Sequence, residues 1–70
     1  MKRYVVSHLS FFDNEMNMLL TYANSGVEAM AQYLALPTWL GKPLSEITED
    51  DVHEYASNTD QVIEYLEITN

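Results

Sequence analysis

Seventy residues hold one domain and one core, with no room for separate catalytic and regulatory halves. Eleven acids against Lys2, Arg3 and Lys42 give a net charge of −8, the wrong sign for direct binding of nucleic acid or an anionic membrane, both of which need a basic footprint. With no cysteine there are no disulfides and no thiolate metal sites, which points to the cytosol, since small secreted domains usually carry such staples. Lys2 and Arg3 precede an apolar stretch, but Ser7, His8 and Ser10 interrupt it, so a signal peptide is not expected. Ala29 to Leu40, broken by Gln32 and Pro37, is shorter than the roughly 20 residues a bilayer span needs.

Tyr4 to Phe12 is rich in β-branched and aromatic residues, Asp13-Asn14-Glu15 has turn chemistry, and Met16 to Ala23 runs apolar again, which predicts a β-hairpin. Period-two counting puts Val5, Leu9 and Phe11 on one face of the first strand, the better core face, and Tyr4, Val6 and His8 on the other. In the second strand Met16, Met18, Leu20 and Tyr22 oppose Asn17, Leu19, Thr21 and Ala23. Ser25-Gly26-Val27-Glu28 fits a capping box, and Val27, Met30, Ala31 and Leu34 form the apolar stripe of the helix it opens. Pro37 is expected to end that helix, with Pro37 to Leu44 an irregular segment. Thr48 caps a second helix, Glu49 to about Ser57, with Ile47 and Val52 spaced as a hydrophobic staple and Val52, Tyr55 and Ala56 facing inward. Gln61 to Thr69 returns to strand alternation, Val62, Leu66 and Ile68 against Ile63 and Tyr65. The order β-β-α-α-β predicts an α+β fold, a three-stranded sheet of order 2-1-3 with both helices on one face, the last strand pairing with the first in either direction.

Catalytic chemistry finds little support. His8 and His53 lie on different elements with no nucleophile motif beside either. His53-Glu54-Tyr55-Ala56-Ser57 begins like a zinc-protease helix but carries serine where the second histidine must stand. Glu49-Asp50-Asp51 lacks the alternating ligands of a calcium loop. The expectation is a non-enzymatic protein without cofactor or metal.

Binding surfaces are better supported. Eight of the eleven acids fall in the last 25 residues, where no Lys or Arg occurs. One reading is a field that attracts a basic protein surface; the other is a solvated face, with Glu49, Asp50 and Asp51 complementing the dipole of the helix they open. Glu64 and Glu67 differ by an odd number and so point to opposite faces of a strand. The sheet face expected to look away from the helices holds Tyr4, Val6, Leu19, Ile63 and Tyr65 with His8, Thr21 and Glu67, a composition suited to dimerisation or target docking. Trp39, between Pro37 and Pro43, is expected to close one end of the core, its other reading being a projecting anchor. Met16, Met18 and Met30 read as core filler.

The opening residues Lys2-Arg3-Tyr4-Val5-Val6-Ser7-His8-Leu9-Ser10-Phe11-Phe12-Asp13-Asn14-Glu15 and the closing Val62-Ile63-Glu64-Tyr65-Leu66-Glu67-Ile68 resemble small acidic proteins of tailed bacteriophages. The resemblance covers the hairpin and the last strand and includes no active-site motif, so no functional residue is carried over. It implies an accessory protein of the host cytoplasm that binds a host or defence protein such as a nuclease, a CRISPR complex or a polymerase. The expected function is therefore a blocking protein that approaches a basic surface through Glu49, Asp50, Asp51 and Glu54 and holds it with Tyr4, Tyr65 and Trp39. The alternative is a homodimer or assembly subunit pairing through the outer sheet face, its charge serving solubility.

Overall fold

The two alternating segments pair as an antiparallel hairpin, β1 (Lys2–Ser10) and β2 (Glu15–Ala23), in a computed structural model that describes residues 1–69. The turn between them closes on Asn14 at φ 55°, a left-handed conformation that asparagine tolerates. The last strand, β3 (Gln61–Ile68), returns antiparallel to β1 on its other side, giving the order β2-β1-β3. Asp60, also at φ 55°, makes the corner that sends the chain into β3, and its carbonyl accepts from the Phe11 amide at 3.0 Å.

The first helix, α1 (Gly26–Tyr33), starts at the expected cap: Ser25 Oγ accepts from the Glu28 amide at 3.1 Å. The Glu28 carboxylate reaches one residue further back than a capping box requires and accepts from the backbone and side-chain nitrogens of Asn24 at 3.5 and 3.3 Å. Ala29, Met30, Ala31 and Leu34 are buried beneath it. Pro37 does not end this helix. The break falls at Ala35 (φ 56°), and Pro37 sits in the first turn of a short second helix, α2 (Leu36–Leu40), where its missing N–H removes no bond. Gly41 (φ 64°) closes α2 and donates its N–H to the Pro37 carbonyl at 3.1 Å. The segment expected to be irregular is thus helical to Leu40, with a further 3-10 turn at Leu44–Glu46.

The last helix, α3 (Glu49–Asn58), carries a complete capping box: the Asp51 amide donates to Thr48 Oγ1 at 3.2 Å, and the Thr48 amide donates to Asp51 Oδ2 at 3.0 Å. Ile47 and Val52, the expected staple pair, are both buried. The Thr48 amide, and after it the Lys42 ammonium 3.1 Å away, hold the Asp51 carboxyl below its ordinary value of 3.8. A carboxyl whose folded-state pKa is depressed stabilises the fold above its unfolded pKa and loses that contribution as pH falls through the lower, folded value. Asp51→Asn should therefore weaken the protein at pH 7 and narrow the gap between its urea midpoints at pH 7 and pH 3.

Helices α1 and α3 pack on one face of the sheet, and the smallest dimension of the molecule is 16 Å, the thickness of two layers. The core between the layers is built from Tyr4, Val6, Ala23 and Ile63 of the sheet with Ala29, Met30, Ala31, Leu34, Leu36, Ile47, Val52 and Ala56. The two sheet faces are thereby exchanged relative to expectation. Tyr4, Val6 and Ile63 lie under the helices, while Val5 and Leu9 lie on the bare side and Phe11 stands in the exposed turn.

Candidate protein-interaction surface

Strand register fixes what the bare face presents. Four cross-strand rows lie side by side on it: Tyr22–Arg3–Ile68, Leu20–Val5–Leu66, Met18–Ser7–Glu64 and Met16–Leu9–Val62. Every position outside Arg3, Ser7 and Glu64 is apolar, yet no helix covers them. Met16 is 79% exposed, Met18 73%, Leu66 69%, Leu20 and Tyr22 57% and Val62 48%. Together these residues, backbone and the Tyr22 hydroxyl included, leave on the order of 700 Å² in water, to be set against the roughly 300–600 Å² of the largest apolar patch on a typical soluble monomer. Met16 and Met18, expected as core filler, are instead its most exposed members; Met30 is the buried one.

Val5 and Leu9 on the central strand are half-buried between the exposed side chains of β2 and β3, so the apolar surface runs without a break from one edge strand to the other. Of the three cations and eleven acids, only Arg3 and Glu64 occupy positions on this face, and both stand at its margin, Arg3 in an end row and Glu64 on an edge strand. A mostly apolar surface nearly free of charge is the composition found at the core of protein interfaces.

The residues expected to contact a partner are dispersed. Tyr4 is 2% exposed, its ring edge-on to that of Tyr65 with centroids 5.7 Å apart, so it is a core residue and offers nothing to a partner. Tyr65 is exposed on the helix side, where its ring lies across Gly26. Trp39, on α2, does not close the core; it is 66% exposed and projects. Glu49, Asp50 and Glu54 are exposed on α3, whereas Asp51 is committed to its cap and to Lys42. Glu64 and Glu67 do take opposite faces, Glu67 standing 3.9 Å from Lys2 on the helix side. The acids of α3 and the apolar sheet face thus belong to opposite layers of the molecule.

A polar chain that the sequence did not suggest ties the layers together. His8, on the covered face, meets Gln61 Oε1 through Nε2, and Gln61 Nε2 donates to Thr59 Oγ1 at 2.7 Å. A carbonyl oxygen can only accept, so His8 Nε2 donates to it; with the ring singly protonated, Nδ1 is left to accept from the Tyr33 hydroxyl, 3.1 Å away. Thr59 Oγ1 passes the direction on to the Tyr55 carbonyl at 2.7 Å. Each member of the chain is donor to the next, which satisfies the group and links α1, β1, β3 and α3.

Concave sites are modest. A cleft of ≈ 390 Å³ at the turn end of the sheet is lined by Ser10, Asp13, Thr59, Asp60 and Gln61 among others, and the Ser10 hydroxyl there donates to Asp13 at 3.5 Å. A serine beside a carboxylate with no histidine in the lining lacks the base that nucleophilic catalysis needs. Among the described residues no group of His, Asp and Glu is placed to hold a metal ion, and no helix is long and apolar enough to cross a membrane. Comparison with known proteins adds no relative: no family model, curated protein or solved structure matches the chain.

Proposed function

We propose that this protein is a non-enzymatic association module that works through the bare face of its sheet. The observation that carries this reading is the contiguous run of apolar side chains across all three strands, exposed in a chain of otherwise strongly acidic surface. A face of that chemistry is unfavourable in water and becomes favourable once covered. A second reading, a blocker of a basic host or defence protein of the kind the phage resemblance implies, draws on the outward acids Glu49, Asp50 and Glu54. Those acids would steer the approach of a cationic partner, and that binding would weaken with added salt. Binding at the apolar face would not.

The four methionines provide the test. Met1 is exposed and Met30 fully buried, which gives an unprotected and a protected reference within one chain. Brief peroxide oxidation in intact producing cells, read by mass spectrometry of peptides, should leave Met16 and Met18 as slow to oxidise as Met30, at least roughly tenfold slower than in the urea-unfolded chain. If both oxidise as fast as Met1, the face is bare where the protein works, and the reading fails.

A further inference from the structure

We infer that the occupant of the bare face is a second copy of this chain, the two sheets packing face to face with both helical layers outward; the inference rests on the association reading above and adds the partner's identity. Area is the first argument. About 700 Å² of exposed surface per copy, polar and apolar atoms together, is close to the roughly 800 Å² that each partner buries in a standard stable interface.

Shape is the second. Met16, Met18 and Leu20 on β2 and Val62 and Leu66 on β3 flank the less exposed Val5 and Leu9 of β1, giving each copy an apolar band three strands wide to lay on the other's. Sheets that pack face to face lie about 10 Å apart with strands some 30° from parallel, the side chains of the two inner faces interdigitating. The unbranched methionines on the edge strand can adjust to fill what remains.

Charge is the third. One cation and one acid at the margin leave the face close to neutral, so the charge of −8 is carried by the helix side, the turns and the strand ends, away from the contact. A basic partner would find only Glu64 to meet on this face and an acidic one only Arg3, so a partner of either charge would gain little here. A second copy needs neither attraction, because an aliphatic and thioether surface is complementary to itself. A two-fold contact of this kind is isologous and closes on itself, leaving no apolar face to recruit a third chain.

Sedimentation equilibrium of the purified chain from about 1 to 200 µM should give twice the 8.1 kDa chain mass. The association should hold or tighten when salt is raised, since screening reduces repulsion between two like-charged bodies. Leu20→Lys and Met18→Glu each place a charge inside the contact and should raise Kd by roughly 100-fold or more, with circular dichroism unchanged. Should Leu20→Lys disturb the fold, Met18→Glu on the edge strand carries the same test. Glu54→Lys, on the helix layer, should leave the dimer intact. A dimer that survives both face substitutions overturns the proposal, and so does a monomer at 200 µM. In the monomeric case the methionine experiment separates the two failures: Met16 and Met18 protected in cells means a different protein covers the face, whereas Met16 and Met18 oxidised there means that the association reading has failed as well.

Discussion

Val6→Asp is expected to unfold the protein at room temperature, whereas Val5→Asp, one residue earlier, leaves the fold standing. Val6 is fully buried on the central strand, with Leu19 and Tyr65 as its cross-strand neighbours and the helices above it. No cation lies among the residues of that core, so a carboxylate there would be stranded without a partner. An unpaired buried charge costs several kcal/mol even after relaxation, and a single core in a chain this short supplies only about 3–5 kcal/mol of stability. Val5 points to the other side. Its carboxylate replacement would reach water in the monomer, and the expected cost is near 1 kcal/mol, from the poor fit of aspartate to a central strand. The two variants separate in a urea titration followed by far-ultraviolet circular dichroism: Val6→Asp should show no folded baseline, and Val5→Asp a cooperative transition, shifted down by that cost and by the stability that association lends the wild type. In the sedimentation experiment Val5→Asp should also be monomeric. Equal tolerance at both positions would contradict the assignment of the sheet faces.

That pair of residues also marks the point where the sequence is legible and where it is not. Local signals were sufficient for five of the elements: the Ser25 and Thr48 caps start α1 and α3 where their side chains predict, and apolar runs set off by turn residues locate the three strands, whereas α2 and the 3-10 turn fall in a segment expected to be irregular. The order β2-β1-β3 follows from hydrophobic patterning and chain economy. Which face looks inward does not follow, because the rule that the more apolar set lies under the helices chooses Val5, Leu9, Met18, Leu20 and Leu66, and those residues are on the bare side. The helices are too few to cover a second face, and they settle on the one where Tyr4 can lie edge-on to Tyr65 and where Ala23 and Gly26 permit close approach. A signal was nonetheless present in adjacent apolar pairs, Val5-Val6, Leu19-Leu20 and Val62-Ile63, which put apolar side chains on both faces of every strand. Strands patterned in that way belong to sheets covered on both sides. Pro37 misled for a different reason: proline is unfavourable inside a helix and favourable in its first turn, and only the left-handed Ala35 before it decides between the two. The chain through Tyr33, His8, Gln61 and Thr59 was out of reach, since it depends on a register between strands more than fifty residues apart in sequence.

Gly26→Ala, ordinarily a favourable change in a helix by up to about 1 kcal/mol, is expected to destabilise this protein. A Cβ on Gly26 would overlap Cε2 and Cζ of Tyr65, well inside van der Waals contact. The Tyr65 ring must move, and moving it breaks the edge contact with Tyr4, an aromatic pair worth about 0.5–1.5 kcal/mol beyond its area. Overpacking of this kind typically costs about 1–3 kcal/mol in total. Tyr65→Ala removes the obstacle, so in that background Gly26→Ala should turn neutral or stabilising. Urea denaturation of the four proteins closes a double-mutant cycle whose coupling should exceed about 1 kcal/mol, the size expected of residues in direct contact. Additive effects would mean that the ring does not lie over the helix start. None of the four should change its state of association, because Tyr65 stands on the helix side of the sheet, so its role is to seat α1 and not to grip a partner.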